Sequence, residues 1–275
     1  MPFRHLLKVP MLFGSLVNYV IWRFKTTKTT IRGQLSYSDT SIYYEIHGNG
    51  TPLLLLHGGL TSVELWYAQL PELSKHFQLI IIDMRGHGRS KIGRQTFSYD
   101  LLTADTLEVL NHLKLNTVDV LGWSDGGIVG LKLAINNPER VNRLIAISAN
   151  YNPDGLTQEA VKEMKHATPS NHSLLARLIY YLVAPESKQW NKLWCNVTSM
   201  WAENPQITLD ELTGIKADTL LIQGENDVIT EKHFNEMVTA IPNAEQLIIA
   251  DTGHNVLQLA PDSINAAVHR FLKKV

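Results

Sequence analysis

One cysteine, Cys195, in 275 residues excludes an internal disulfide and a cysteine-based metal cluster, so folding relies on neither. Charge of one sign is equally lacking. Lys and Arg number 25 against 26 Asp and Glu, a formal net charge of -1, and without a basic excess nucleic acid is not an expected partner. No repeat or low-complexity tract interrupts the chain. The uncharged stretch at residues 9–22, VPMLFGSLVNYVIW, has 14 residues where a membrane-spanning helix needs roughly 20. No small-x-small cleavage site follows it, only KTTKTT. Its length suits a signal-peptide core, an interfacial anchor contacting a membrane surface, or a plain helix packed on the domain. Export or membrane association and a cytoplasmic location therefore both stay open, and residues 1–30 are set apart as a segment of their own.

What is present is apolar material: 44% hydrophobic against 19% charged residues, enough for a sizeable core in one α/β domain. Short β-rich runs at 33–37, 42–47, 53–57, 78–83, 117–122, 143–148, 219–223 and 246–250 alternate with helical spacing at 63–75, 99–113, 126–136, 231–240 and 261–273. Continuous runs such as LLLLH and LIIID predict strands buried on both faces. That pattern belongs to a mostly parallel, doubly wound sheet covered by helices on each side. Residues 151–216 break the alternation, read as helical, and concentrate Tyr180, Tyr181, Trp190, Trp194 and Trp201. They are expected to form a helical lid between the core halves 31–150 and 217–275, most of the aromatics filling the lid's own core and one or two facing a substrate.

The run VLGWSDGGIVGLKLA places Ser124 between a predicted strand and a predicted helix, with glycines at 122 and 126. A strand-to-helix turn holds its central residue in strained geometry and presents the hydroxyl at the carboxyl edge of the sheet, the arrangement of a nucleophile elbow. A serine hydroxyl needs a base, and the base needs an orienting group. Asp227 follows one later strand and His254 the last, in the chain order this architecture requires. Glu225 and Asp251 are rivals for the acid, and His57 and His87 for the base; the two histidines precede the serine and are expected to brace loops. HGGLTS after the third strand offers the main-chain N–H of Gly59 or Leu60 to an oxyanion, and Asp125 a second through its own N–H. Asp125 and Trp123, on either side of the serine, are assigned to substrate contact.

His57-Gly58-Gly59, DMRGHGRS at 83–90, GWSDG at 122–126, Asp227 and His254 together resemble an α/β-hydrolase with a serine nucleophile over roughly residues 42–272. LGWSDGG is similar to the valacyclovir hydrolase-like and arylesterase-like members. The resemblance implies an eight-stranded sheet, bracing roles for Arg85, His87 and Ser90, and no metal or organic cofactor. It implies hydrolysis of a small-molecule carboxylic ester, of small to medium acyl size or lipid-like, through an acyl-enzyme. C–C bond hydrolysis or perhydrolysis by the same triad is the alternative, and a non-catalytic binder of the fold a third. Serine at 124 argues against the family's aspartate-nucleophile dehalogenases and epoxide hydrolases. In valacyclovir hydrolase-like enzymes an acid equivalent to Asp125 holds a substrate amino group; here the preferred expectation is that it accepts N–H bonds at its helix N-terminus or sits in a local ion pair.

Overall fold

Leu53, Leu54, Leu55 and Leu56 are all fully buried, but they do not share a core: Leu54 and Leu56 pack in one apolar cluster, Leu53 and Leu55 in another. Ile80 and Ile82 divide from Leu79 and Ile81 in the same way. Side chains alternate across a strand, so two covered faces require an uninterrupted apolar run. The computed structural model describes residues 19–26 and 30–273. Its strands are β1 (Ile31–Tyr37), β2 (Thr40–His47), β3 (Thr51–Leu56), β4 (Phe77–Asp83), β5 (Val118–Trp123), β6 (Val141–Ile147), β7 (Asp218–Asn226) and β8 (Ala244–Gly253). They form one sheet in the order β1-β2-β4-β3-β5-β6-β7-β8. β2 runs antiparallel to β1 and β4, and every other pair is parallel.

Helices α1 (Tyr99–His112), α2 (Asp125–Asn136), α3 (Gln158–His166), α4 (Leu174–Val183), α5 (Trp190–Glu203), α6 (Leu209–Thr213), α7 (Glu231–Ala240) and α8 (Pro261–Leu272) complete the layers. α1, α2 and α7 cover one face, and α8 with residues 63–73 covers the other. The expected helix over 63–75 is instead a 3-10 turn at Val63–Ala68 followed by a short helix at Leu70–Leu73. Pro71 has no N–H for the Tyr67 carbonyl, so one continuous helix cannot run through it. α3 to α6 lie in the insert between β6 and β7, where Trp190 stands 5.3 Å from Tyr180 and 6.3 Å from Trp194.

Residues 9–18 of the apolar N-terminal stretch lie outside the described residues. Residues 19–25 are helical and pack on the domain: Tyr19 is buried, Trp22 lies 5.0 Å from the His47 ring, and Arg23 forms a paired ion bridge with the buried Glu45. No helix among the described residues is long and apolar enough to cross a membrane.

The loop after β4 is held by charge as well as by apolar packing, Met84, Ile92 and Phe97 lying in the core. Arg85, fully buried, donates to both Asp105 oxygens at 2.7 and 2.8 Å and to Asp39 at 2.7 Å. Ser90 donates to the Asp83 carbonyl at 2.5 Å and accepts the Tyr43 N–H at 2.8 Å. Removing Arg85 leaves Asp105 buried without its partner, a change that costs about 3–5 kcal/mol. Arg85→Ala is therefore expected to lower the unfolding free energy by about 3 kcal/mol or more in urea denaturation; a loss below about 1 kcal/mol would show that the ion cluster does not fasten the loop.

Candidate functional site

Ser124 has φ 54 and ψ -121, the left-handed geometry of a sharp turn, and begins α2 directly after β5. The turn is possible because its flanks carry no side chain. A Cβ on Gly122 would lie 2.2 Å from the Gly126 carbonyl oxygen, and one on Gly126 would lie 2.0 Å from the Leu56 oxygen, distances no side chain tolerates. The Ser124 N–H donates to the Ile147 carbonyl at 2.8 Å, tying the turn to β6.

The structure brings Ser124, His254 and Asp227 together from three loops at the carboxyl ends of β5, β8 and β7. His254 Nε2 lies 3.0 Å from Ser124 Oγ, and His254 Nδ1 lies 2.9 Å from Asp227 Oδ1. The second Asp227 oxygen accepts the Ser148 hydroxyl at 2.6 Å. Burial by itself raises the Asp227 pKa, but the imidazole, the Ser148 hydroxyl and the Gly224 N–H outweigh it and hold the carboxyl below its ordinary range. Ser148 was not anticipated from sequence; its place at the end of β6, beside β7, is the signal that could have found it. The rival acids point elsewhere, since Glu225 accepts the Asp251 N–H at 2.9 Å and both residues are exposed.

The His57–Leu60 loop closes against the same turn. A Cβ on Gly58 would stand 3.1 Å from Ser124 Cβ, and one on Gly59 would stand 2.5 Å from an Asp125 carboxylate oxygen. His57 fixes this loop from below: Nδ1 bonds the Gly58 carbonyl at 2.7 Å and Nε2 accepts the Met84 N–H at 2.9 Å. Burial and the neighbouring His87 push its pKa down to about 3, so it stays neutral. His87 in turn bonds the Arg85 carbonyl at 2.9 Å. Thr61 donates to the Gly58 carbonyl at 2.6 Å and Val63 N–H to Asp83 at 2.8 Å. The N–H groups of Gly59, Leu60 and Asp125 donate to no acceptor among the described residues. Two loops whose free donors border a hydroxyl form the kind of pocket in which a developing oxyanion is stabilised.

Trp123, assigned to substrate contact from sequence, is buried. Its ring belongs to the core under the sheet, it lies 5.1 Å from the His254 ring, and its Nε1 donates to the His254 carbonyl at 2.9 Å. It braces the imidazole from behind. Among the described residues Asp125 neither caps its helix nor meets a cation. Its carboxylate accepts the Tyr99 hydroxyl at 3.0 Å and the Trp201 indole N–H at 2.8 and 3.0 Å. Trp201 thus joins insert helix α5 to the residue after the serine, a link between distant segments that periodicity does not reveal.

Burial drives the Asp125 pKa up to about 6, against the Trp201 and Tyr99 hydrogen bonds that favour the charged form. Because the folded value lies above the unfolded one, near 3.9, the stability that Asp125 contributes is full below about pH 4 and is lost as pH rises through about 6. Trp201→Phe removes a donor to the carboxylate, so its midpoint is expected to rise above that of the parent in a carbon-13 NMR titration of the carboxyl; an unmoved midpoint would show the indole bond carries no weight. An ammonium arriving here would have to share the carboxylate with both donors.

Comparison with known proteins places this geometry. The profile of the alpha/beta hydrolase fold matches residues 51–171, and that of a TAP-like protein matches residues 183–275. A putative carbamate hydrolase, RutD, of Azorhizobium caulinodans is 34% identical over 86% of this chain and 97% of its own length. A putative esterase/lipase of Haemophilus influenzae is 28% identical over 97% of this chain and 91% of its own. A hydrolase from Pseudomonas aeruginosa superposes with a TM-score of 0.72 at 25% identity, over 88% of this chain and 98% of that one. With its eight-stranded sheet, its strand-to-helix serine turn and relatives that are hydrolases along nearly their whole length, the chain belongs to the alpha/beta-hydrolase family.

Proposed function

We propose that the protein is a carboxylic-ester hydrolase working through an acyl-enzyme on Ser124. The observation that carries this reading is the unbroken hydrogen-bond line from the Asp227 carboxylate through His254 to the Ser124 hydroxyl, with unengaged N–H groups beside it. Ser124 Oγ attacks the ester carbonyl carbon while His254 Nε2 takes its proton. Asp227 keeps the other imidazole nitrogen protonated and stabilises the imidazolium. The oxyanion settles on the N–H of Asp125 and that of Gly59 or Leu60, each such donor contributing roughly 3–4 kcal/mol. Collapse expels the alkoxide, which recovers the proton from His254, and water repeats the sequence on the acyl-enzyme to release the acid. A carbamate presents a carbonyl to the same attack, and the 34% identical relative makes an aryl carbamate a second substrate to include.

The test is kcat/KM across p-nitrophenyl esters of increasing acyl length, with one α-aminoacyl ester and one aryl carbamate, for the parent and Ser124→Ala. The parent is expected to show an optimum in acyl length, and Ser124→Ala to lose about 10⁴-fold or more with its unfolding transition unchanged. Activity retained in that variant would remove Ser124 as nucleophile. Preference for the aminoacyl ester would assign Asp125 to amino-group binding.

A further inference from the structure

Two loops supply the N–H groups beside Ser124, and side chains rather than backbone bonds set their spacing. The open face of Gly59 meets the Asp125 carboxylate and the Trp201 indole: a Cβ there would stand 2.5 Å from Asp125 Oδ2, 2.5 Å from Trp201 Cζ2 and 3.2 Å from Trp201 Cε2. His57 and Thr61 hold the Gly58 carbonyl from one side, and Asp125 with Trp201 meets Gly59 from the other. The next residue, Leu60, has φ 58, a left-handed backbone that a leucine keeps only where its surroundings determine it.

The oxygen that presses on Gly59 needs a holder of its own. The terminal torsion of an aspartate is broad, and Tyr99 donates to Oδ1 at 3.0 Å. Trp201 Nε1 reaches both oxygens, Oδ1 at 2.8 Å and Oδ2 at 3.0 Å. The indole is therefore the group that fixes the rotation of the carboxylate and the place of Oδ2. Its helix is seated by other side chains: Trp190, Leu193, Trp194, Val197 and Met200 of α5 are buried in the apolar cluster that also holds Ile128 and Val129 of α2. Trp201 thus connects a helix fastened in the core to both loops that border the nucleophile.

We infer that Trp201 is a positioning residue for the oxyanion donors: through the Asp125 carboxylate and the Gly59 turn it holds the N–H groups of the two loops at the spacing a tetrahedral intermediate requires. The inference rests on the esterase reading. A group that acts through these donors contributes as charge develops on the carbonyl oxygen, not as the ester binds. Its loss therefore falls on kcat and spares KM.

The test uses the parent, Trp201→Phe, Trp201→Ala and Trp194→Phe, each with its urea unfolding transition recorded. Two quantities are measured: kcat and KM on p-nitrophenyl acetate, and the inhibition constant of an alkyl trifluoromethyl ketone. The carbonyl oxygen of that ketone becomes an oxyanion when Ser124 Oγ adds to the carbon and His254 takes the hydroxyl proton. Trp201→Phe removes the N–H and keeps a ring; it is expected to lower kcat about ten-fold with KM within about two-fold, and to weaken the ketone about ten-fold. Trp201→Ala also empties the space against Gly59, and its kcat is expected to fall about 100-fold. Should the alanine variant unfold, the phenylalanine variant alone carries the test. Trp194→Phe makes the same exchange within the insert and is expected to hold kcat within about two-fold.

A parental kcat in Trp201→Phe would overturn the positioning role, because the indole bond would then be idle. So would a rise in KM alone, which would make Trp201 a substrate contact, or an equal fall of kcat in Trp194→Phe, which would make the effect one of α5 packing. A ketone bound about ten-fold more weakly by Trp201→Phe, with no ester turnover by the parent, would leave the positioning role standing and overturn the esterase reading. A parent that neither binds the ketone nor turns over an ester would overturn both.

Discussion

The turn at Ser124 constrains everything around it. Its positive φ is a conformation that non-glycine residues avoid, and such geometry persists only where the surroundings determine it. Here they do so from three sides. Ile147 accepts the Ser124 N–H, the Gly126 backbone presses on the Leu56 carbonyl, and the Gly58 edge closes over Ser124 Cβ. β3, β5 and β6 must therefore lie side by side with their ends level, and the parallel register of these three strands supplies that alignment. The fully buried leucines and isoleucines of the sheet matter to the site because they keep this register from sliding.

Around the turn, polar groups are assigned in pairs. Each group near the hydroxyl has a neighbour that fixes its direction: Ser148 for Asp227, Asp227 for His254, His57 and Thr61 for the Gly58 carbonyl, Asp83 for Val63 and Arg89. A carboxylate held between two donors or an imidazole held at both nitrogens loses little freedom when chemistry begins, which is how orientation reduces a barrier. Asp125 is the exception in electrostatic terms. It carries a buried carboxyl raised to about 6 and held, among the described residues, by neutral donors, Tyr99 from α1 and Trp201 from the insert. Its charge state consequently depends on the Trp201 bonds, and these tie α5 of the insert to the residue next to Ser124.

Much of this was legible in the sequence, and the reasons differ by element. β3 and β4 were evident because burial on both faces demands a continuous apolar run, and Ser124, Asp227 and His254 because each follows a strand in the order the architecture imposes. The break at Pro71 was missed by weighing periodicity above the missing N–H. The packing of Trp123 was not legible, because sequence adjacency to a serine says nothing about which face of the sheet a side chain enters; at the strand's end it turns into the core beneath His254. Tyr99 and Trp201 reach the site from 25 and 77 positions away from Ser124, through tertiary contacts that no local pattern encodes.

The most direct measurement of the central claim is peptide mass spectrometry after exposure to a fluorophosphonate, which reacts with a serine only where an adjacent base has activated it. The account predicts one adduct, on the peptide containing Ser124, formed at least about 10³-fold more slowly in His254→Ala. No adduct in the folded protein, or labelling of another serine with Ser124 untouched, would contradict it.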